Sequence, residues 1–253
     1  MSDEITSDPG PGPTPEAVGD DAARRFAAAA ATLGVPVSRL AELEATHGRI
    51  GIVVREGGTR AAVVRRPTRK EYKRFRSNAS NPAKAADSLE ALFTATCVLP
   101  TGIHAIDALL ERWVAAPEAA REVFKRLSGR CGHVVEDKGR AAALLKIDVE
   151  VLLDLEHRYE QIAVVASDDE GEWAAVLRPP SRKEYKLFRA NANDARKTAD
   201  SQEGLFLATC VRPEGVPAAE ALLELWPGIP EACADAGAFQ SLSGMTGIEE
   251  GKA

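Results

Sequence analysis

Ile50, Ile52 and Val54 alternate with smaller or charged neighbours, a period of two that predicts a β-strand. The loop Glu56-Gly57-Gly58-Thr59 turns the chain and residues 62–65 run back, so 50–66 reads as a β-hairpin. A second hairpin is predicted over 162–177, with the turn Asp168-Asp169-Glu170-Gly171. A lone two-stranded ribbon is marginal in water, and each is expected to pack on helices.

After each hairpin the apolar period lengthens to three and four residues. Tyr72 and Phe75 share one helical face, as do Tyr185 and Phe188, on helices that end near Asn78 and Asn191. A second helix opens at Asn81-Pro82, or at Asp194 in the counterpart. Its apolar stripe is Ala86, Leu89, Leu92, Phe93 and Cys97, which places Cys97 and Cys210 on a buried face. A third helix carries Ile106, Leu109, Leu110 and Trp113. A fourth begins at Pro117 or Pro230, buries Phe124 and Leu127 or Phe239 and Leu242, and stops at the glycine of "LSG". An Ala-rich helix at 22–33 precedes the first hairpin, and 141–146 is its shorter counterpart before the second.

The two series are one unit written twice. Shifting the chain by 113 residues aligns 65–113 with 178–226 without a gap, and 30 of those 49 positions are identical. Outside that window "LAELE" answers "LLDLE" and "RLSG" answers "SLSG". The expected architecture is α+β and predominantly helical: two tandem copies of a β-hairpin plus helical bundle domain, at 22–131 and 132–247, each of ordinary domain size. Residues 134–140 are either a linker or the first turn of a helix.

The most repeated stretch is "RRPTRKEYKRFR" at 65–76, answered by "RPPSRKEYKLFR" at 178–189. Thr68 with Glu71, and Ser181 with Glu184, fit a capping box in which hydroxyl and carboxylate each accept an unpaired backbone N–H. Pro67 and Pro180 stand just before the cap, placed to staple onto Tyr72 and Tyr185. The block is therefore a helix start first, with Tyr and Phe turned to the core and Lys and Arg on the solvated side.

Charge changes the picture at one end only. Residues 1–21 hold six acids, no Lys or Arg, and proline at 9, 11, 13 and 15, which reads as a disordered acidic tail. Without that tail 32 acids balance 32 bases, so bulk charge does not mark a polyanion binder. Residues 248–253 read as a flexible end. No run of about 18 apolar residues and no signal peptide is present, and a cytoplasmic protein is expected.

Candidate chemistry is sparse. Cys97, Cys131, Cys210 and Cys233 form no C-x-x-C pair, and none of His47, His104, His133 and His157 has a histidine in the other copy. There is no nucleophile elbow, phosphate loop or zinc-protease motif, so catalytic residues, metals and cofactors are not expected. Cys97 and Cys210 read as small core residues rather than nucleophiles. The cations of 65–76 and 178–189, interleaved with aromatics, fit a phosphate-tracking helix as a rival reading. Cations in a first helical turn oppose the helix dipole, and an anionic partner would relieve that. An interaction module fits better, since small helical domains with a ribbon edge suit partner binding and duplication raises avidity.

A ribbon leading into "R-P-x-R-x-E-Y-K-x-F", a helix ending "L-F-x-A-T-C-V", then "A-L-L-E-x-W", a proline-started helix and "L-S-G" resemble the small tail assembly chaperone-like proteins of tailed phages and phage-derived particles. The resemblance spans roughly 50–129 and 162–244. The tandem arrangement and the acidic N-terminal segment depart from it. It implies a non-enzymatic assembly factor that binds a helical protein partner, the tape-measure protein or another tail or tube component, in the bacterial cytoplasm. Arg69, Tyr72, Lys73 and Arg76, with Arg182, Tyr185, Lys186 and Arg189, are the expected contact surface.

Overall fold

A computed structural model describes residues 26–79, 81–168, 171–192, 194 and 197–243. The acidic segment 1–21, the start of the first helix, part of the 168–171 turn, Gly244 and residues 248–253 lie outside the described residues.

The fold is α+β and predominantly helical. Helix α1, described over Phe26–Leu33, and α2 (Val37–His47) lead into the antiparallel strands β1 (Ile50–Val54) and β2 (Ala61–Arg65). Then come α3 (Arg69–Ala79), α4 (Pro82–Thr96), β3 (Cys97–Leu99), α5 (Ile103–Arg112), α6 (Ala116–Ala119) and α7 (Arg121–Ser128). After β4 (Gly132–Val134) the order recurs: α8 (Lys138–Leu145), α9 (Val149–Tyr159), β5 (Ala163–Ser167), β6 (Ala174–Leu177), α10 (Arg182–Ala192), α11 (Thr198–Thr209), β7 (Cys210–Arg212), α12 (Val216–Leu225), α13 (Ile229–Asp235) and α14 (Ala238–Leu242).

Each sheet is the middle of three layers, because alternate strand residues face opposite ways. Val53, Ala62 and Val64 join a core with Phe93, Trp113 and Phe124, whereas Ile50 and Val63 join Phe26, Leu40 and Leu43 on the other side. In the second half Val165, Ala175 and Leu177 meet Phe206, Trp226 and Phe239, while Val164, Ala166 and Val176 meet Leu152 and Leu155. Gly51 of β1 is needed for the close approach of α7: a Cβ there would stand 2.2 Å from Val123 Cγ1.

Three expectations are corrected. Cys97 and Cys210 are not on the second helix. That helix stops at a threonine in each half, and the cysteines open β3 and β7, which pair with β2 and β6. Pairing there satisfies backbone groups that an open hairpin edge would leave bare. The fourth helix is broken, at Ala120 in the first half and at Gly237 in the second, where φ is 75°. Residues 132–134 form a strand beside β5, which gives the second sheet the order β4-β5-β6-β7 against β1-β2-β3 in the first. Helix α8 then starts at Asp137, whose side chain accepts the Arg140 backbone N–H at 2.6 Å.

Candidate functional site

The repeated basic block starts its helix as the capping motif predicts. The Thr68 backbone N–H donates to Glu71 Oε2 at 2.8 Å and the Glu71 N–H to Thr68 Oγ1 at 3.3 Å. The corresponding Ser181 and Glu184 bonds are 2.6 and 3.3 Å. The arginine before each cap adds a clamp that the pattern did not disclose. Arg65 donates to both Glu71 oxygens, at 3.0 and 2.8 Å, and to the Ala95 carbonyl at 3.0 Å near the end of α4. Arg178 does the same with Glu184, at 3.1 and 2.8 Å, and with the Ala208 carbonyl at 2.7 Å. Those bonds to Arg178 come first in holding the Glu184 carboxyl down at about 2.

Two faces of this helix do different things. Residues 71, 74, 75 and 78 lie on one side and residues 69, 72, 73 and 76 on nearly the opposite one, since a two-residue offset turns a helix by about 200°. The first face lines a cleft of about 410 Å³ between α3 and α4, with Phe75 and Leu92 among its walls and Lys84 and Asp87 among its polar residues. Its counterpart between α10 and α11 holds about 330 Å³ and is lined by Leu187, Phe188, Leu205 and Ala208, with Lys197 and Asp200. Leu187 is 67% exposed.

The second face carries the eight residues expected to meet a partner, and the two halves treat it differently. In α3 it is closed by the chain itself. Arg69 bonds Glu203 at 2.5 Å and Glu224 at 3.0 Å, and Lys73 bonds Asp200 at 2.9 Å and Glu203 at 3.3 Å. Arg76 pairs with Glu231, to which the Tyr72 hydroxyl also donates. Arg69, Tyr72, Lys73 and Arg76 are therefore not an open surface. Tyr72 is buried, and its hydroxyl is occupied by Glu231 of the second half. Burial pushes the Tyr72 phenol up and the Arg76 guanidinium down, whereas the Glu203 hydrogen bond, first among its causes, raises Arg69. In α10 the corresponding cations are open: Arg182, Lys186 and Arg189 are exposed, whereas Tyr185 is half-buried with its ring 6.1 Å from Phe188.

The junction extends beyond α3. Arg66 stacks over Trp226 at 3.8 Å, the Gly228 N–H donates to the Ser128 carbonyl at 2.7 Å, and Arg130 meets Asp235 at 3.1 Å. Sequence reasoning missed these acids, although Asp200, Glu203 and Glu224 lie in the repeat and Glu231 follows it at the same spacing.

The thiols are held protonated. Burial pushes Cys97 up to about 11 and Cys210 to about 12, and raises Cys233 further, so the nucleophilic thiolate is scarce at neutral pH. Among the described residues no group of three His, Cys, Asp or Glu is placed to hold a metal ion, and no single helix is long and apolar enough to cross a membrane. No protein-family model, curated protein or solved structure matches this chain.

Proposed function

We propose that this chain is a non-enzymatic assembly factor that holds a helical segment of a protein partner, a tape-measure or other tail or tube component, while a phage tail or phage-derived particle is built in the bacterial cytoplasm. One observation carries the reading: the same helix-lined cleft recurs in both halves, with a phenylalanine and a leucine in its wall and charged residues beside them. Clefts of this size admit the apolar side chains of a docked helix, as grooves for amphipathic helices do. Two on one chain raise avidity when a long partner engages both.

The phosphate-tracking alternative loses half its surface, because the α3 cations are neutralised by Asp200, Glu203, Glu224 and Glu231. The scarcity of thiolate weighs against cysteine catalysis.

Co-expression with a long coiled-coil protein of the tape-measure class, followed by affinity capture, tests the reading. Recovery of that protein is expected, as is its loss when both clefts are filled by Ala91→Arg and Gly204→Arg. Both positions are exposed, and a Cβ at Gly204 meets nothing within 4 Å, so the variant keeps its fold. Capture of no tail component, or undiminished capture by the filled variant, overturns the proposal.

A further inference from the structure

We propose that a second copy of this chain docks head-to-tail on the first, with α10 of one molecule seated on α4, α5 and α6 of the next. The template is the contact already made inside the chain, where α3 rests on α11, α12 and α13 through Arg69, Lys73 and Arg76 against Asp200, Glu203, Glu224 and Glu231. That contact is heterologous: a basic helix of one half meets the acidic face of the other, rather than each half offering the same patch. It uses the cations of one helix and one acidic face, while the α10 cations and the acids of the first half are exposed.

The second basic helix and the second acidic face match the first pair in chemistry. Arg182, Tyr185, Lys186 and Arg189 stand where α3 has Arg69, Tyr72, Lys73 and Arg76. On the first half Asp87, Glu90, Glu111 and Glu118 stand at the positions of Asp200, Glu203, Glu224 and Glu231. Nineteen of the 49 positions in the gapless window differ between halves; the seven positions of the ion-pair and hydroxyl contacts inside it are identical, and Arg66, which becomes Pro179, is a junction residue that changes. Arg182, Lys186 and Arg189 are exposed, and so are all four acids. Among the described residues Glu118 pairs with Arg121, one turn away in sequence and itself exposed, a pair that is cheap to exchange.

Applying the half-to-half operation once more therefore brings a basic helix onto an acidic face, and a heterologous contact repeated in this way gives a closed ring or an open filament. The contact between molecules is weaker than the one within, because Pro179 replaces Arg66 and the stacking on tryptophan is lost. The contact shares Asp87 with the α3–α4 cleft, whereas the α10 cations lie on the side of their helix opposite its cleft.

Sedimentation velocity of the whole chain at rising concentration and low salt tests the proposal. Dimers and larger species are expected, retreating toward monomer as salt screens the ion pairs. Arg182→Ala with Lys186→Ala and Arg189→Ala should weaken association at least about tenfold, and so should Glu90→Ala with Glu111→Ala and Glu118→Ala. Mixing the two variants should give a one-to-one dimer that grows no further, because each supplies the face the other lacks. A chain that stays monomeric, including one whose α10 is covered by its own segment 1–21, overturns the proposal. So does association that survives both sets of substitutions. None of the six substituted residues lines a cleft, so partner capture by these variants is expected to persist and separates failure of this contact from failure of the cleft reading.

Discussion

The Tyr72 hydroxyl donates to the Glu231 carboxylate across the junction of the two halves, and Arg76 closes on the same carboxylate. Glu118, at the corresponding position of the first half, is 57% exposed, against 5% for Glu231. Two copies of one residue thus occupy opposite electrostatic settings, because only one of them is covered.

Glu231→Ala should destabilise the protein by roughly 3–5 kcal/mol, since it strands a buried guanidinium and a buried phenol. Glu118→Ala should change stability by less than about 1 kcal/mol. Urea denaturation of the two variants checks the contrast, and similar midpoints would contradict a sealed junction.

Glu184 titrates at about 2, below its ordinary 4.5, because the folded state binds its ionised form more tightly. A depressed carboxyl contributes stability that is whole above pH 4.5 and is lost as pH falls through 2. An acid melting series should therefore show the native protein weakening across that window. Arg178→Met, which removes the first cause of the shift, should flatten the slope.

Thiol labelling at pH 8 should be slow in the native protein and rapid after denaturation. Cys97 and Cys210 are held at about 11 and about 12, with Cys233 raised further, so little thiolate is present until burial is lifted. Cys131, half-buried and raised by burial and then by Asp168, should label first, which peptide mapping would read.

Gly204→Ala should stabilise the protein by about 0.5–1 kcal/mol, the ordinary helical cost of glycine. The first half carries alanine at the corresponding position, Ala91, and the added Cβ meets nothing within 4 Å. Thermal melting checks the sign. Destabilisation would mean that the α11 wall of the cleft is tighter than its geometry indicates.

Much of the local structure was legible because it depends on near neighbours. The Thr68–Glu71 and Ser181–Glu184 boxes and the hairpin strands follow from residues a few positions apart, whose geometry the backbone sets alone; Tyr72 and Phe75, expected on one face, are divided between the junction and the cleft. The strands that begin at Cys97 and Cys210 were not legible. Their apolar spacing continues the helix, and only the waiting edge of β2 or β6 makes pairing the better use of those backbone groups.

The candidate site divides along the same line. The sequence by itself determined that two basic helices would form, each with its cations set apart on one face, because helical periodicity places residues three and four apart together. Only the tertiary structure decided which cation face is open. Arg69 and Glu203 are 134 residues apart, and no local pattern couples them. Packing one half against the other covers the α3 face and leaves Arg182, Lys186 and Arg189 of α10 exposed, since a heterologous contact between two like units always has an unmatched end.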